Sequence, residues 1–310
     1  MEKLFKLKEH GTDVKTEIIA GITTFLAMAY ILAVNPSYLG GIDGMSAGAV
    51  FSATAISAGI ATLCMAFFAN YPVALASGMG LNAFFAFTVC GAMGYSYKVA
   101  LTAVFIEGII FMLLSLFKFR EALVNKIPSN LKFAITAGIG LFIAIIALLN
   151  ANVVVASEST TVALGELSSP TVVLSLVGLL IIGALQHYKV PGGILLGILI
   201  TWVLGIMAQL VGWYVPNPEA GVYSVIPQFS LSSFEAPKMF QFDFGFIAKN
   251  VPAFILIVFT FLYTDIFDTV GTLIGVAEKG KLLDKDGSLP NATGALMADA
   301  VGTVVGACFG

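Results

Sequence analysis

Residues 250–277 read NVPAFILIVFTFLYTDIFDTVGTLIGVA. This stretch is apolar over a length that lets a helix cross about 30 Å of hydrocarbon. Its interior nevertheless holds two acids, Asp265 and Asp268, which are three residues apart and therefore lie on one helix face. A carboxylate near the centre of a bilayer is costly unless it is paired or hydrated, so this stretch predicts a membrane helix that borders a polar pathway.

The rest of the chain repeats the apolar pattern. Hydrophobic residues make up 58% of the 310 residues, charged residues make up 11%, and the mean hydropathy is +0.97. Soluble domains carry about a quarter charged residues, so we expect an all-α polytopic membrane protein. Runs of spanning length predict eight complete spans and the start of a ninth. Their approximate bounds are 16–34, 48–69, 72–88, 97–117, 131–149, 170–186, 192–212, 250–277 and 296 onward.

Lysine and arginine are unevenly divided between alternate loops of this threading. Twelve lie on the side of the N-terminus, and three lie on the other side: Lys98, Lys238 and Lys249. Short cytoplasmic loops carry an excess of these residues, and one missed span would scramble the alternation. We therefore predict a multi-pass protein of the cell membrane with a cytoplasmic N-terminus.

Several function classes lack their sequence signals. Cys64, Cys90 and Cys308 fall in or beside apolar runs without a paired spacing, and the two histidines lie near span ends. We therefore expect neither a disulfide nor a metal site. The sequence has no GxxxxGK[ST] motif, so we do not expect transport driven directly by ATP from this chain. No cofactor is expected.

Span three is irregular. Residues 71–87 read YPVALASGMGLNAFFAF, with a proline at the start, Gly78 and Gly80 close together, and Asn82 in the middle. Broken helices at membrane depth are tolerated where their backbone lines a cavity, and they point to the binding site of a transporter. The alternative is that the glycines permit close helix packing while Asn82 bonds a neighbouring helix.

A purine fits these polar groups. Its ring N–H donors and acceptors can be met by a carboxylate and an amide, and a flat aromatic face can stack on the ring. We therefore predict that Asp265, Asn82 and Phe84 bind substrate. Two neighbouring carboxylates favour protonation of one of them, so we predict a proton-coupling or transport-essential role for Asp268. The alternative for Asp268 is a hydrogen bond to Thr264 or Thr272 that stabilises a kink.

Four further polar residues lie in the apolar runs. Glu107 in span four is either a functional carboxyl or a structural partner of an Asn or Ser. Thr23 and Thr24 in span one are expected to bond their own helix backbone, with Thr24 kept as a candidate cavity ligand. Asp299 is interpreted as a residue at the start of span nine.

Three motifs resemble a known family. The segments AGITTF at 20–25, MAYIL at 28–32 and NP at 35–36 resemble span one of the azaguanine-like branch of the nucleobase transporter superfamily. The segments GMGLNAFF at 78–85 and TDIFDTVGT at 264–272 resemble spans three and eight of that branch. The resemblance covers essentially the whole chain.

This resemblance implies proton symport of hypoxanthine, guanine or adenine into the cell, driven by the proton gradient. It also implies a fold of seven plus seven spans in inverted repeats, with a half-helix and a short strand in span three. Residues 1–117 and 250–310 would then belong to a core domain, and residues 118–249, with spans five to seven and an outward loop, to a gate domain. The chain is expected to be C-terminally truncated, holding eight and a half spans and lacking the substrate carboxylate of span ten.

The resemblance also assigns roles and partners. By motif match, Asp265 is the principal substrate carboxylate, Asn82 is the contribution of span three, and Asp268 is needed for transport. The expected partners are the purine, protons and the lipid bilayer, with a homodimer as an open alternative and no nucleic acid.

Three other functions compete with purine transport. A uracil or xanthine permease of a sister branch would more often carry Glu at the first acidic position. An ion or anion transporter of the same fold should have a basic residue near the midplane, which spans three and eight lack. An intramembrane aspartyl enzyme would place its two acids on separate helices, whereas Asp265 and Asp268 share one.

Overall fold

The computed structural model describes residues 5, 7–8, 11–116, 129–190, 192–217, 224–226, 235–280, 282–284 and 289–310. The elements are α1 (Val14–Met28), α2 (Ile31–Leu39), α3 (Ala47–Cys64), the π-helix π1 (Met65–Ala69), α4 (Met79–Ala83), the π-helix π2 (Phe84–Ala92), α5 (Tyr97–Leu116), α6 (Ser129–Asn150), β1 (Val154–Ser157), β2 (Thr161–Leu164), α7 (Pro170–His187), α8 (Gly193–Leu210), α9 (Gly245–Lys249), α10 (Val251–Lys279) and α11 (Ala292–Phe309). Lys118, Arg120 and Lys126 of the predicted basic loop lie outside the described residues.

Seven of the described helical stretches are long and apolar enough to cross a membrane, which confirms the predicted polytopic fold. They are Val14–Leu39, Ala47–Ala69, Tyr97–Leu116, Pro170–His187, Gly193–Leu210, Val251–Glu278 and Ala292–Phe309. A shorter apolar helix covers Met79–Ala92, within the predicted span three. The helix Ser129–Asn150 matches the predicted fifth span.

The capping residues explain where two of the spans begin. Before α1, the backbone N–H of Thr16 donates to Oδ1 of Asp13 at 2.7 Å, and this hydrogen bond lowers the pKa of the Asp13 carboxyl. Before α7, Ser169 caps the helix, and Pro170 occupies the first turn, where its missing N–H costs nothing.

The chain divides into two compact units. The first contains residues 1–140 and 232–310, and the second contains residues 141–231. The core and gate domains expected from the resemblance have boundaries at residues 117 and 250, and that assignment stays a prediction.

Within the first unit, α11 packs against α3 and α5, and α10 packs against α5. Small residues allow the close approach of α11. A side-chain carbon added at Gly108 would lie 2.8 Å from Cγ2 of Val304, and one added at Gly302 would lie 2.9 Å from Cβ of Ala61. Packing through small residues is typical of helices in lipid, where apolar burial alone does not hold helices together.

A buried apolar cluster in the first unit joins three elements. It contains Phe85 and Val89 of π2, Ala103 of α5, and Phe254 and Phe261 of α10, among others. This cluster fixes span eight beside span three, which positions the acids of α10 relative to the broken helix.

The connecting segment 235–244 is fastened to the first unit at four points. Its contacts are Ser52 Oγ donating to the Glu235 carbonyl at 2.7 Å, Lys238 Nζ donating to the Gly44 carbonyl at 2.7 Å, the Phe240 N–H donating to the Cys308 carbonyl at 2.7 Å, and the Asp243 N–H donating to Thr102 Oγ1 at 2.8 Å. These contacts reach α3, α5, α11 and the turn before α3. The segment therefore belongs structurally to the helices it crosses.

The second unit packs α7 against α8 and carries a small antiparallel hairpin. In the hairpin, β1 and β2 pair from Val154 opposite Leu164 to Ser157 opposite Thr161. The sequence analysis did not predict these strands, because each has four residues and no strong turn signal separates them.

Candidate functional site

Span three is broken, as predicted. Residues 71–78 form no helix or strand and end in the extended backbone of Gly78, α4 forms one short turn over Met79–Ala83, and π2 continues to Ala92. Gly78 has an extended backbone, with φ −71° and ψ 130°, so the helix starts at Met79. The non-helical part pairs with no strand among the described residues. Instead, the N–H of Leu75 donates to Thr62 Oγ1 of α3 at 3.0 Å.

Asn35 of α2 is buried at the centre of a polar network. Its Nδ2 donates to Thr54 Oγ1 at 3.1 Å and to Ser77 Oγ at 2.6 Å. Thr54 belongs to α3, and Ser77 belongs to the non-helical segment of span three. One amide therefore connects spans one, two and three.

Asn82 joins the same network from α4. Its Nδ2 donates to Asn35 Oδ1 at 2.5 Å and to Ser77 Oγ at 3.2 Å. The predicted alternative, in which Asn82 bonds a neighbouring helix, thus describes its amino group. Its Oδ1 accepts no hydrogen bond from the described residues and stays available to a ligand.

Asp265 is buried in α10, with 4% of its surface exposed. Thr269, one turn further along α10, places its hydroxyl 3.5 Å from Asp265 Oδ1 and 2.7 Å from Asp299 Oδ2. The hydroxyl has one hydrogen, and the shorter distance assigns it to Asp299. Thr269 therefore stands between two carboxylates on different helices.

The prediction for Asp299 was wrong. The helix α11 begins at Ala292 with Asn291 as its cap, so Asp299 lies two turns inside the helix and not at its start. The apolar run in the sequence starts later than the helix, because Ala292 to Gly294 look like part of a loop. Asp299 instead faces α10 and its Thr269.

Asp268 links α10 to the broken helix. Its carboxylate lies against the backbone of Gly78, where an added side-chain carbon would be 2.6 Å from Asp268 Oδ2. Thr272 donates to the backbone carbonyl of Asp268 at 2.7 Å. Thus the kink-stabilising alternative involves the backbone of Asp268, and the carboxylate is directed at span three.

The other predicted residues, Phe84, Thr24 and Thr23, contact an aromatic ring or their own helix backbone. Phe84 is half-buried and makes an edge contact with Phe261, with ring centroids 4.9 Å apart and an interplanar angle of 80°. Thr24 Oγ1 donates to the Gly21 carbonyl of its own helix at 3.0 Å, and Thr23 does likewise to Ile19 at 2.7 Å. Both threonines bond their own backbone, as predicted.

Glu107 is 1% exposed in α5. The next residue, Gly108, abuts Thr303 and Val304 of α11, so Glu107 lies at a tight helix crossing. Its carboxyl is thus inside the helix packing of the first unit. In the part of the chain that the structure describes, no group of three or more His, Cys, Asp or Glu residues could hold a metal ion.

Sequence reasoning missed Asn35, Ser77 and Thr269 as site residues. Asn35 precedes a proline and resembles a turn residue, although Pro36 lies inside α2. Thr269 had a usable signal, because it lies four residues after Asp265 and shares its helix face. Ser77 had none, because its role depends on the non-helical backbone of span three and on contacts with Asn35 and Asn82.

Known proteins are similar in sequence to this chain over nearly its whole length. The model of the Permease family matches residues 15–310. The chain belongs to the Permease family. Guanine/hypoxanthine permease PbuO of Bacillus subtilis is 45% identical over 99% of the chain, and adenine permeases AdeQ and AdeP of Escherichia coli are 42% and 40% identical over 100% of it.

The permease chain spans about two thirds of the length of these relatives: 69% of PbuO and 66% of AdeQ and AdeP. Family membership and the seven apolar spans among the described residues identify it as a multi-pass membrane protein. At the level of the family, it is a transport protein and not an enzyme.

The amide network also predicts a stability effect. Replacing Asn35 with alanine removes an acceptor and two donors and leaves Asn82, Ser77 and Thr54 short of partners. Unmet buried polar groups cost about 1–3 kcal/mol, so we expect the melting temperature of the detergent-solubilised permease to fall by several degrees. The matched control is Asn250→Ala, at an exposed position without a side-chain bond in the cap. Equal melting temperatures for both variants would contradict the network.

Proposed function

We propose that the permease takes up purine nucleobases, namely hypoxanthine, guanine or adenine, in symport with protons. The observation that carries this proposal is the contact of the Asp268 carboxylate with Gly78. It brings the acid-bearing helix α10 against the broken span that presents Asn82. The printed functions of PbuO, AdeQ and AdeP support purines as the substrate class.

The residues divide into two chemical groups. The carboxylates of Asp265 and Asp268 accept hydrogen bonds, and a purine offers ring N–H groups to such acceptors. The second group is the network of Asn82 on span three, which presents amide and hydroxyl groups. Phe84 is proposed to border the ring, although its contact with Phe261 leaves part of its surface engaged.

Proton coupling is proposed to use the acids of α10 and α11. Between residues 250 and 277 the chain has two acids, Asp265 and Asp268, and no Lys, Arg or His. Without a basic partner in this stretch, neutralisation by a proton lowers the cost of moving a carboxylate through the membrane. Asp268 is the proposed carrier. Thr269, whose hydroxyl donates to Asp299 and lies 3.5 Å from Asp265 Oδ1, stands between the other two acids. Glu107 and Thr24 stay secondary candidates.

The test is uptake of radiolabelled hypoxanthine by the full-length permease in proteoliposomes with an imposed proton gradient. We expect accumulation that a protonophore reduces at least tenfold, because the gradient supplies the driving force, and that a sodium ionophore does not change. Unlabelled adenine and guanine should compete, whereas uracil should not. Uptake that the protonophore does not reduce would contradict proton symport. Competition by uracil, without competition by adenine or guanine, would contradict purine specificity.

The variant Asp268→Asn separates coupling from binding. It keeps the size of the side chain but cannot carry a proton at this position. We expect it to exchange internal for external hypoxanthine while failing to accumulate it against a gradient. Full accumulation by this variant would exclude Asp268 as the proton carrier.

A further inference from the structure

The amide network uses every hydrogen of its two side-chain amides. Asn35 Nδ2 donates to Thr54 and Ser77, and Asn82 Nδ2 donates to Asn35 and Ser77. Each NH₂ group has two hydrogens, so neither amide has another donor to offer. Ser77 Oγ accepts both of the bonds directed at it, which occupies its two lone pairs.

On span three, two groups of the network have no partner in the described part of the chain, and they belong to neighbouring side chains. The Ser77 hydroxyl hydrogen has no acceptor among the described residues, and the Asn82 Oδ1 has no donor there. Ser77 Oγ and Asn82 Nδ2 are 3.2 Å apart, so the free donor and the free acceptor belong to two side chains in direct contact. The Ser77 side chain is exposed, and a ligand can reach it. Two amide donors on its oxygen also polarise the hydroxyl and strengthen its O–H as a donor.

A purine can match this pair in more than one way. On the edge that carries position 6, adenine has an acceptor at N1 and a donor at N6, whereas hypoxanthine and guanine have a donor at N1 and an acceptor at O6. A donor and an acceptor in one fixed order cannot form both hydrogen bonds with each of these patterns. The edge formed by N3 and N9–H has an acceptor beside a donor in all three bases.

We propose that Ser77 donates a hydrogen bond to N3 of the purine and that Asn82 Oδ1 accepts one from N9–H. This inference rests on the proposed purine transport and adds the orientation of the base. It leaves the carboxylates of α10 for the opposite edge of the ring, where N–H donors differ between substrates. It also predicts rejection of nucleosides, because a sugar on N9 removes the hydrogen that Asn82 accepts and leaves that group unpaired.

The test compares two ligands on two forms of the permease, so that the effect of removing N3 is measured with and without the Ser77 hydroxyl. The ligand is 3-deazahypoxanthine, which has carbon in place of N3, measured as an inhibitor of labelled hypoxanthine uptake. For the unmodified permease we expect it to inhibit about tenfold more weakly than unlabelled hypoxanthine, the scale of one lost hydrogen bond. For Ser77→Ala we expect hypoxanthine to weaken about tenfold and the analogue to weaken no further.

Two variants control this cycle. Ser77→Thr keeps the hydroxyl and should preserve the preference for hypoxanthine over the analogue. Ser57→Ala removes a hydroxyl that bonds the Ala53 carbonyl of its own helix, so it should also keep the preference. A preference that persists in Ser77→Ala would overturn the contact with N3.

A second ligand needs no variant. We expect 9-methylhypoxanthine to inhibit the unmodified permease at least tenfold more weakly than hypoxanthine, because it lacks the N9–H donor. Equal inhibition by both compounds would overturn the proposed orientation while leaving purine transport intact. Absence of hypoxanthine uptake by the unmodified permease would overturn the proposed function itself, and this inference with it.

Discussion

Replacing Asp265 with asparagine is expected to lower hypoxanthine uptake at least about a hundredfold. A hydrogen bond to a charged group contributes about 1.5–3 kcal/mol, or roughly ten- to a hundredfold in rate. The amide would also direct N–H donors at a substrate N–H group and at Thr269, which adds a repulsive term to the lost attraction. The measurement is the initial uptake rate at equal amounts of protein in the membrane.

The control for this change is Asp43→Asn, which neutralises an exposed acid in the turn before α3. It should leave the uptake rate unchanged. Asp265→Glu keeps the charge but moves it outward by one methylene, so we expect an uptake rate between those of Asp265→Asn and Asp43→Asn. If Asp265→Asn and Asp43→Asn transport equally well, then Asp265 does not bind the substrate.

Adding one methyl group at Gly78 is expected to reduce uptake at least about tenfold. The backbone of Gly78 has φ −71°, which alanine adopts without strain, so the cost comes from packing alone. The new carbon would lie 2.6 Å from Asp268 Oδ2, closer than van der Waals contact allows, and α10 or the Asp268 side chain must move. Displacements of about 1 Å at such a site are costly for function.

A rescue experiment identifies the clash. Gly78→Ala should lower the melting temperature, and adding Asp268→Ala should restore it by removing the obstructing carboxylate, while uptake stays low in both. Gly59→Ala is the matched control, because a side-chain carbon there meets nothing within 4 Å. A destabilisation that Asp268→Ala does not relieve would place the clash elsewhere.

Much of the fold follows from the sequence alone. Apolar runs of spanning length mark each helix because lipid requires every backbone group to be bonded within its own segment. Pro72 and Gly78 mark the break in span three because proline and glycine are the residues least favourable to a continuous helix. The start of α11 escaped because Ala292 to Gly294 have no hydrophobic signal, and the helix start there depends on tertiary contacts of Asn291, whose Nδ2 donates to the Phe68 carbonyl at 2.8 Å.

The sequence predicted only those site residues whose placement in a membrane span costs free energy whatever surrounds them. Asp265 and Asp268 stand out because charge in an apolar span needs an explanation, whatever surrounds it. Asn35, Ser77 and Thr269 are ordinary residues in a sequence, and their importance comes from partners distant along the chain. Asn35 meets Ser77 across 42 residues, and Thr269 meets Asp299 across 30. Contacts at such separations are fixed by helix packing, which no local pattern encodes.

The fastening of residues 235–244 has a mechanical consequence. Because this connection is hydrogen-bonded to α3, α5 and α11, it links three helix ends and helps to fix the distances between them. Lengthening or shortening it would therefore alter the spacing of those helices, in contrast to an ordinary surface loop that absorbs insertions without effect.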